Sequence, residues 1–174
     1  MSKQEQALSK DSTIYSYKLM KRMYHSIFKI VPYFIVLLLI LIYKIDVQDW
    51  LPLLLGYPII IIFHMLLVRA FFQYTIGSAM RGWSFRPGIF WCGILPEGHA
   101  SIKLVSKVQL NLFWIGLAFI ALLYPWIPAI WILDLILFHT WVLMPRLWML
   151  YRFRPYRQSG LIKITRKDTS CFIQ

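Results

Sequence analysis

Four stretches of the chain are almost free of charge: about 27–43, 50–69, 108–124 and 128–148. Each holds roughly 17 to 21 residues, which at the rise of an α-helix suits a hydrocarbon core of about 30 Å. The pattern predicts an all-α integral membrane protein with four transmembrane helices. Ahead of them, residues 14–29 repeat with a helical period. Lys18, Lys21, Arg22, His25 and Lys29 share one face, and Tyr17, Met20, Tyr24 and Ile27 share the opposite one. Such a segment predicts a basic amphipathic helix lying on an anionic membrane surface.

The same reading divides the chain into three parts. Residues 1–26 are a cytoplasmic tail carrying the amphipathic helix, its polar first 13 residues expected to be disordered. Residues 27–151 are the transmembrane domain, interrupted by a cytoplasmic loop over 70–107. Residues 152–174 are a basic cytoplasmic tail. Within the loop, the apolar run from Gly88 to Pro96 is too short to span and predicts an interfacial or re-entrant segment. Leu161 to Thr165 alternates in a way that suits a strand, provided a partner exists.

Charge orients the helices. Eighteen of the nineteen lysines and arginines fall in the amino-terminal stretch, the 69–107 region or the segment from Arg146 onward. The loop 44–49 holds the remaining one, beside Asp46 and Asp49, and the turn at Pro125 to Pro128 holds none. Basic residues mark the cytoplasmic side, so both termini are expected there, with Arg69 and Arg146 snorkelling to that interface. Trp50 and Trp126 fall at the outer interface, and Trp148 and Tyr151 at the inner one, where amphipathic rings belong. The formal charge of +12 with 59% hydrophobic residues points to anionic lipids at the cytoplasmic face of a cell membrane and not to nucleic acid, because the basic residues flank apolar runs. Cys92 and Cys171 both fall on the reducing side, which excludes a structural disulfide.

Ionisable groups inside a bilayer cost about 2.5–3.5 kcal/mol each and need an explanation. His64, Asp134 and His139 are the candidates. By helical rise, Tyr57 and Asp134 lie roughly 10 and 9 Å below the outer end, and His64 and His139 roughly 21 and 16 Å. Two level pairs follow, Tyr57 with Asp134 and His64 with His139. Their plain role is interhelical hydrogen bonding. The alternative is a buried metal or proton site, with Glu97 and His99 added from the loop and zinc as its cofactor. Asp134 and His139 point about 140° apart around one helix, which disfavours joint chelation.

Intramembrane zinc proteases carry His-Glu-x-x-His on one helix and an aspartate ligand on a later one. The corresponding stretch here, His64-Met65-Leu66-Leu67-Val68, lacks the glutamate and the second histidine. Asp134 mimics the later ligand, so a degenerate relative is the nearest that this arrangement implies. A small four-helix exporter would need a central acid for proton coupling, and Asp134 lies toward the outer end. The final Cys171-Phe172-Ile173-Gln174 fits the loose prenylation pattern at Cys171. The expected function is non-enzymatic: an accessory, scaffold or regulatory subunit that contacts another membrane protein or itself. The alternative is a membrane-embedded metal-dependent enzyme or carrier using His64, Asp134 and His139.

Overall fold

A computed structural model describes residues 17–43, 50–77, 82–88 and 90–173. The expectations for the tail 1–13 and for the outer loop 44–49 lie outside these residues. The apolar runs fold as helices: α1 (Ile27–Tyr43), α2 (Trp50–Phe71), α3 (Ile102–Leu122) and α4 (Ala129–Arg152). A π-helical turn, Phe72–Ile76, extends α2 and ends at Gly77 in the left-handed region (φ +65°). Three helical segments, Leu55–Thr75, Ile102–Leu122 and Ala129–Arg152, are long and apolar enough to cross a membrane. At 17 residues α1 is shorter.

The fold is not all-α. Among the described residues six strands gather at the basic end of the helices: β1 (Lys18–Tyr24), β2 (Trp83–Arg86), β3 (Gly93–Pro96), β4 (His99–Ser101), β5 (Gly160–Ile164) and β6 (Asp168–Ile173). Four of them form an antiparallel sheet in the order β1-β6-β5-β4, and β2 pairs with β3 in a separate ladder. The segments expected as an amino-terminal surface helix, a cytoplasmic loop and a basic tail therefore build one layer together. The expected amphipathic helix is β1 over Lys18–Tyr24, where a short basic and apolar alternation fits either period and pairing with β6 decides. The expected re-entrant segment is the turn and second strand of the β2–β3 ladder. From Gly93 to Pro96 its backbone pairs with β2. The Leu161–Thr165 strand has its partners in β4 and β6.

The sheet packs on the basic ends of α3 and α4. Ile162, Ile164 and Cys171 face inward against Val105, Met149, Leu150 and Phe153. Trp91 closes this core, its indole N–H donating to Thr169 Oγ1 at 3.0 Å. A second apolar cluster joins α2, α3, α4 and β3 through Val68, Leu112, Leu143 and Ile94. A third, farther from the sheet, joins Ile60, Ile120, Ile132 and Phe138.

α1 is fastened to α4 by one reciprocal pair. Pro145 inside α4 has no N–H to offer the Trp141 carbonyl four residues earlier. The Tyr33 hydroxyl donates to that carbonyl instead, at 2.8 Å. Trp141 Nε1 donates back to the Tyr33 carbonyl at 3.3 Å, and the two rings stack 4.2 Å apart. A proline in a spanning helix is tolerated when a neighbouring side chain takes up the freed carbonyl.

Candidate functional site: a polar cluster between the helices

His64 on α2 and His139 on α4 meet in the interior. Their Nε2 and Nδ1 atoms are 2.9 Å apart, and the rings cross at 73°. His139 Nε2 lies 3.0 Å from the Phe113 carbonyl of α3. A carbonyl only accepts, so His139 Nε2 carries the proton. In the neutral ring Nδ1 then accepts from His64 Nε2–H, which leaves His64 Nδ1 a bare lone pair. That atom is buried without a hydrogen-bond partner. Both rings are almost wholly enclosed, His64 at 3% and His139 at 0% exposure, and charging either one there would be costly.

Gly116 of α3 makes the site possible. A Cβ at this position would stand 2.2 Å from His139 Cε1. The His139 ring therefore sits where any other residue at position 116 would put its side chain.

Nearer the sheet lies a second polar group that the sequence reading missed. Arg146 does not snorkel outward: it is 2% exposed in the core between α3 and α4. One guanidinium nitrogen donates to the Cys92 carbonyl, and another lies 3.4 Å from Gln109 Oε1. Gly93, at φ +121°, turns the backbone next to Cys92 in a conformation that suits glycine, with the guanidinium 3.8 Å from where its Cβ would be. Among the described residues Arg146 has no ion pair, and its Nε and the Gln109 Nε2 are buried without partners. A depth argument would have found the pair. Gln109 lies roughly 10 Å from the start of α3 and Arg146 roughly 9 Å from the end of α4.

The remaining candidates are dispersed. Asp134 is buried on α4 at 3% exposure. Tyr57 is 40% exposed, its ring near those of Phe138 and Trp141. Glu97 is exposed between β3 and β4. His99 lies on β4, its ring stacked 4.5 Å from Tyr17 and edge-on to Phe172. Partial burial and then the charge of Lys163 hold its imidazole below the ordinary value. Neither Glu97 nor His99 joins the histidine pair. Among the described residues no three His, Cys, Asp or Glu side chains converge as a metal site.

The basic residues expected on a lipid-facing helix sit on and beside β1. Lys18 is exposed, and Lys21 Nζ donates to the Arg152 carbonyl at the end of α4, where a cation is favoured. Arg22 pairs with Asp168 at 3.0 Å. His25 lies 3.2 Å from the Arg166 carbonyl and 2.9 Å from Thr169 Oγ1. Lys29 falls in the first turn of α1. Burial raises the Asp168 carboxyl, but hydrogen bonds from Thr165 and Ser170, then the charges of Arg22 and His25, outweigh it and hold the carboxyl below its usual value. Cys171 is fully buried in β6, and burial pushes its thiol up against the opposing effect of Lys21. In this fold that thiol is not presented to a prenylating enzyme.

Fold and site together define a membrane protein of mixed class, with long apolar helices under a basic β-layer and a polar seam between them. The chain matches no protein-family model, no curated protein and no solved structure.

Proposed function

We propose that the chain is a multi-pass protein of the cell membrane, with four spans and both termini in the cytoplasm. It acts without catalysis, as an accessory or regulatory subunit that contacts another membrane protein or a second copy of itself within the bilayer. The topology draws support from the sheet. α1 follows β1, α2 leads to β2, α3 follows β4 and α4 leads to β5, so all four helices have their basic ends at the β-layer. The functional reading rests on Arg146, which ties α3, α4 and the turn before β3 into one unit. A helix displaced by a neighbour in the membrane then moves the cytoplasmic layer with it.

Reporter fusions test the topology. Those after Asp46 and Tyr124 are expected to report the outside, and those after Gln73 and Gln158 the cytoplasm. An inside signal at Asp46 would remove α1 as a span. The function is tested with a photo-crosslinking residue at the exposed positions Leu66 or Leu133 in native membranes. A discrete crosslinked polypeptide is the expected product, and crosslinks to lipid alone at every position would count against a subunit.

One observation favours a second reading. His64 Nδ1 is a buried, unpartnered acceptor, as a metal or proton site would require. On that reading His64, His139 and Asp134 serve a metal-dependent enzyme or carrier. Stoichiometric zinc on the purified protein, lost in a His64→Ala, His139→Ala double variant, would replace the first reading by this one.

A further inference from the structure

Two cavities adjoin on the side of the molecule where β1 meets α1 and α4, and they share His25 and Phe90. Both walls are largely apolar, but the first is the more polar and carries the charged side chains. The first, of about 290 Å³, lies on the sheet side, and Arg86, Thr165 and Arg166 contribute to its wall. The second, of about 420 Å³, runs along the helices and is lined by Pro32, Tyr33, Met144, Pro145 and Trp148 among others. Both volumes are of the order of small-molecule sites, roughly 300–1,000 Å³.

Among the described residues, the first cavity is lined by two arginines, Arg86 and Arg166, and no carboxylate. Arg86 is fixed by backbone carbonyls, donating to Ile164 at 2.9 Å and to Glu97 at 3.3 Å. Carbonyls orient a guanidinium but do not neutralise it, and two of its five N–H groups are used. Among the described residues neither Arg86 nor Arg166 forms an ion pair. The apolar cavity faces sideways. Met144 and Trp148, on its α4 wall, are 64% and 60% exposed, on the flank of a helix long and apolar enough to cross a bilayer. A hydrocarbon chain can enter there directly from the membrane, and Trp148 is suited to the headgroup level.

We infer that the joined cavities bind one anionic phospholipid, its phosphate between Arg86 and Arg166 and an acyl chain along Tyr33, Met144 and Trp148. Basic pockets beside spanning helices are a recognised way of holding acidic headgroups. A free phosphate or sugar phosphate would use only the polar half. A zwitterionic lipid would bring its own cation toward two arginines. The inference rests on the proposed topology only in assigning the site to the cytoplasmic leaflet, since binding in detergent is measured without it.

The full chain, purified in mild detergent and stripped of lipid, is titrated with phosphatidylglycerol, phosphatidylcholine, glycerol 3-phosphate and inorganic phosphate. Binding is read by native mass spectrometry. Phosphatidylglycerol is expected to bind at one per chain and phosphatidylcholine far more weakly, with no binding of the two soluble phosphates at equal concentration. Arg166→Gln should weaken phosphatidylglycerol roughly fivefold, and Met144→Trp, which fills the apolar half, should weaken it as well. Arg86→Gln also removes two hydrogen bonds that hold the β-layer, so the other two variants, checked for unchanged melting, decide. Equal binding of the two lipids would overturn the inference. So would phosphatidylglycerol binding that neither variant alters, or inorganic phosphate binding as tightly as the lipid. If the reporters place the β-layer outside while phosphatidylglycerol binds as expected, the topology fails and the site stands.

Discussion

Gly116→Ala is the substitution whose sign depends most directly on the histidine pair. Inside a helix, alanine is favoured over glycine by roughly 1 kcal/mol, so on local propensity the change should stabilise. The structure predicts the reverse. The new methyl would stand 2.2 Å from His139 Cε1 and 3.0 Å from both ring nitrogens. The ring is wholly buried and held by Phe113 and His64, so moving it aside breaks those hydrogen bonds. Overpacking of this kind costs about 1–3 kcal/mol. Each interhelical hydrogen bond broken as the ring moves adds about 0.6 kcal/mol, up to roughly 1.7. A net loss of about 1–3 kcal/mol remains after the propensity gain. The assay is denaturation in mixed micelles of wild type, Gly116→Ala, His139→Ala and the double variant. In the His139→Ala background the methyl enters vacated space, so the two effects should be non-additive by at least about 1 kcal/mol. A stabilised Gly116→Ala protein, or strict additivity with His139→Ala, would show that the ring does not lie over Gly116.

Two further outcomes follow from the hydrogen bonds. Tyr33→Phe should keep the stacked ring but leave the Trp141 carbonyl, already deprived of its donor by Pro145, without the hydroxyl, lowering stability by about 0.6–1.7 kcal/mol in the same assay; an unchanged midpoint would mean that the clamp contributes nothing. Asp168 has its folded pKa held below the ordinary value, so its contribution to stability is complete above the unfolded value of about 3.9 and is lost as pH falls from there through the folded pKa. Asp168→Asn should therefore melt earlier than wild type at neutral pH and lose less on acidification to pH 3, and parallel melting curves across that range would contradict the assignment.

What was legible in the sequence follows the range of the interactions involved. The first apolar run and α1 share the bounds 27–43, and the other runs overlap their helices with ends up to six residues apart, because a helix satisfies its backbone within its own segment. Apart from β5, the sheet was not legible, because its strands have three to seven residues and β1 pairs with β6 across almost the whole chain. A seven-residue segment such as Lys18–Tyr24 accommodates a helical and a strand period equally, and only the partner breaks the tie. The histidines could be matched by depth, but Gly116 reads as an ordinary small residue until the ring over it is seen. Arg146 was misassigned because an arginine six residues from a helix end is ordinarily free to snorkel. Here the β-layer covers that end of α4, and the Cys92 carbonyl meets the side chain first.

That burial has a consequence for how the two layers communicate. Methionine or leucine would fill the space beside Gln109 without bringing a charge into it, and a charge so placed is costly unless its donors are met. Arg146 meets one carbonyl and one side-chain amide. One side chain thus joins α3 to α4 and holds the turn that leads into β3. Among the described residues its buried Nε–H has no partner, and neither does the Gln109 amide nitrogen. A network left partly unsatisfied is poised between arrangements more readily than a complete one, because a small shift of a helix exchanges one imperfect set of hydrogen bonds for another at little cost. If the protein relays contacts made within the membrane, as proposed, this seam is where a shifted helix would be felt first.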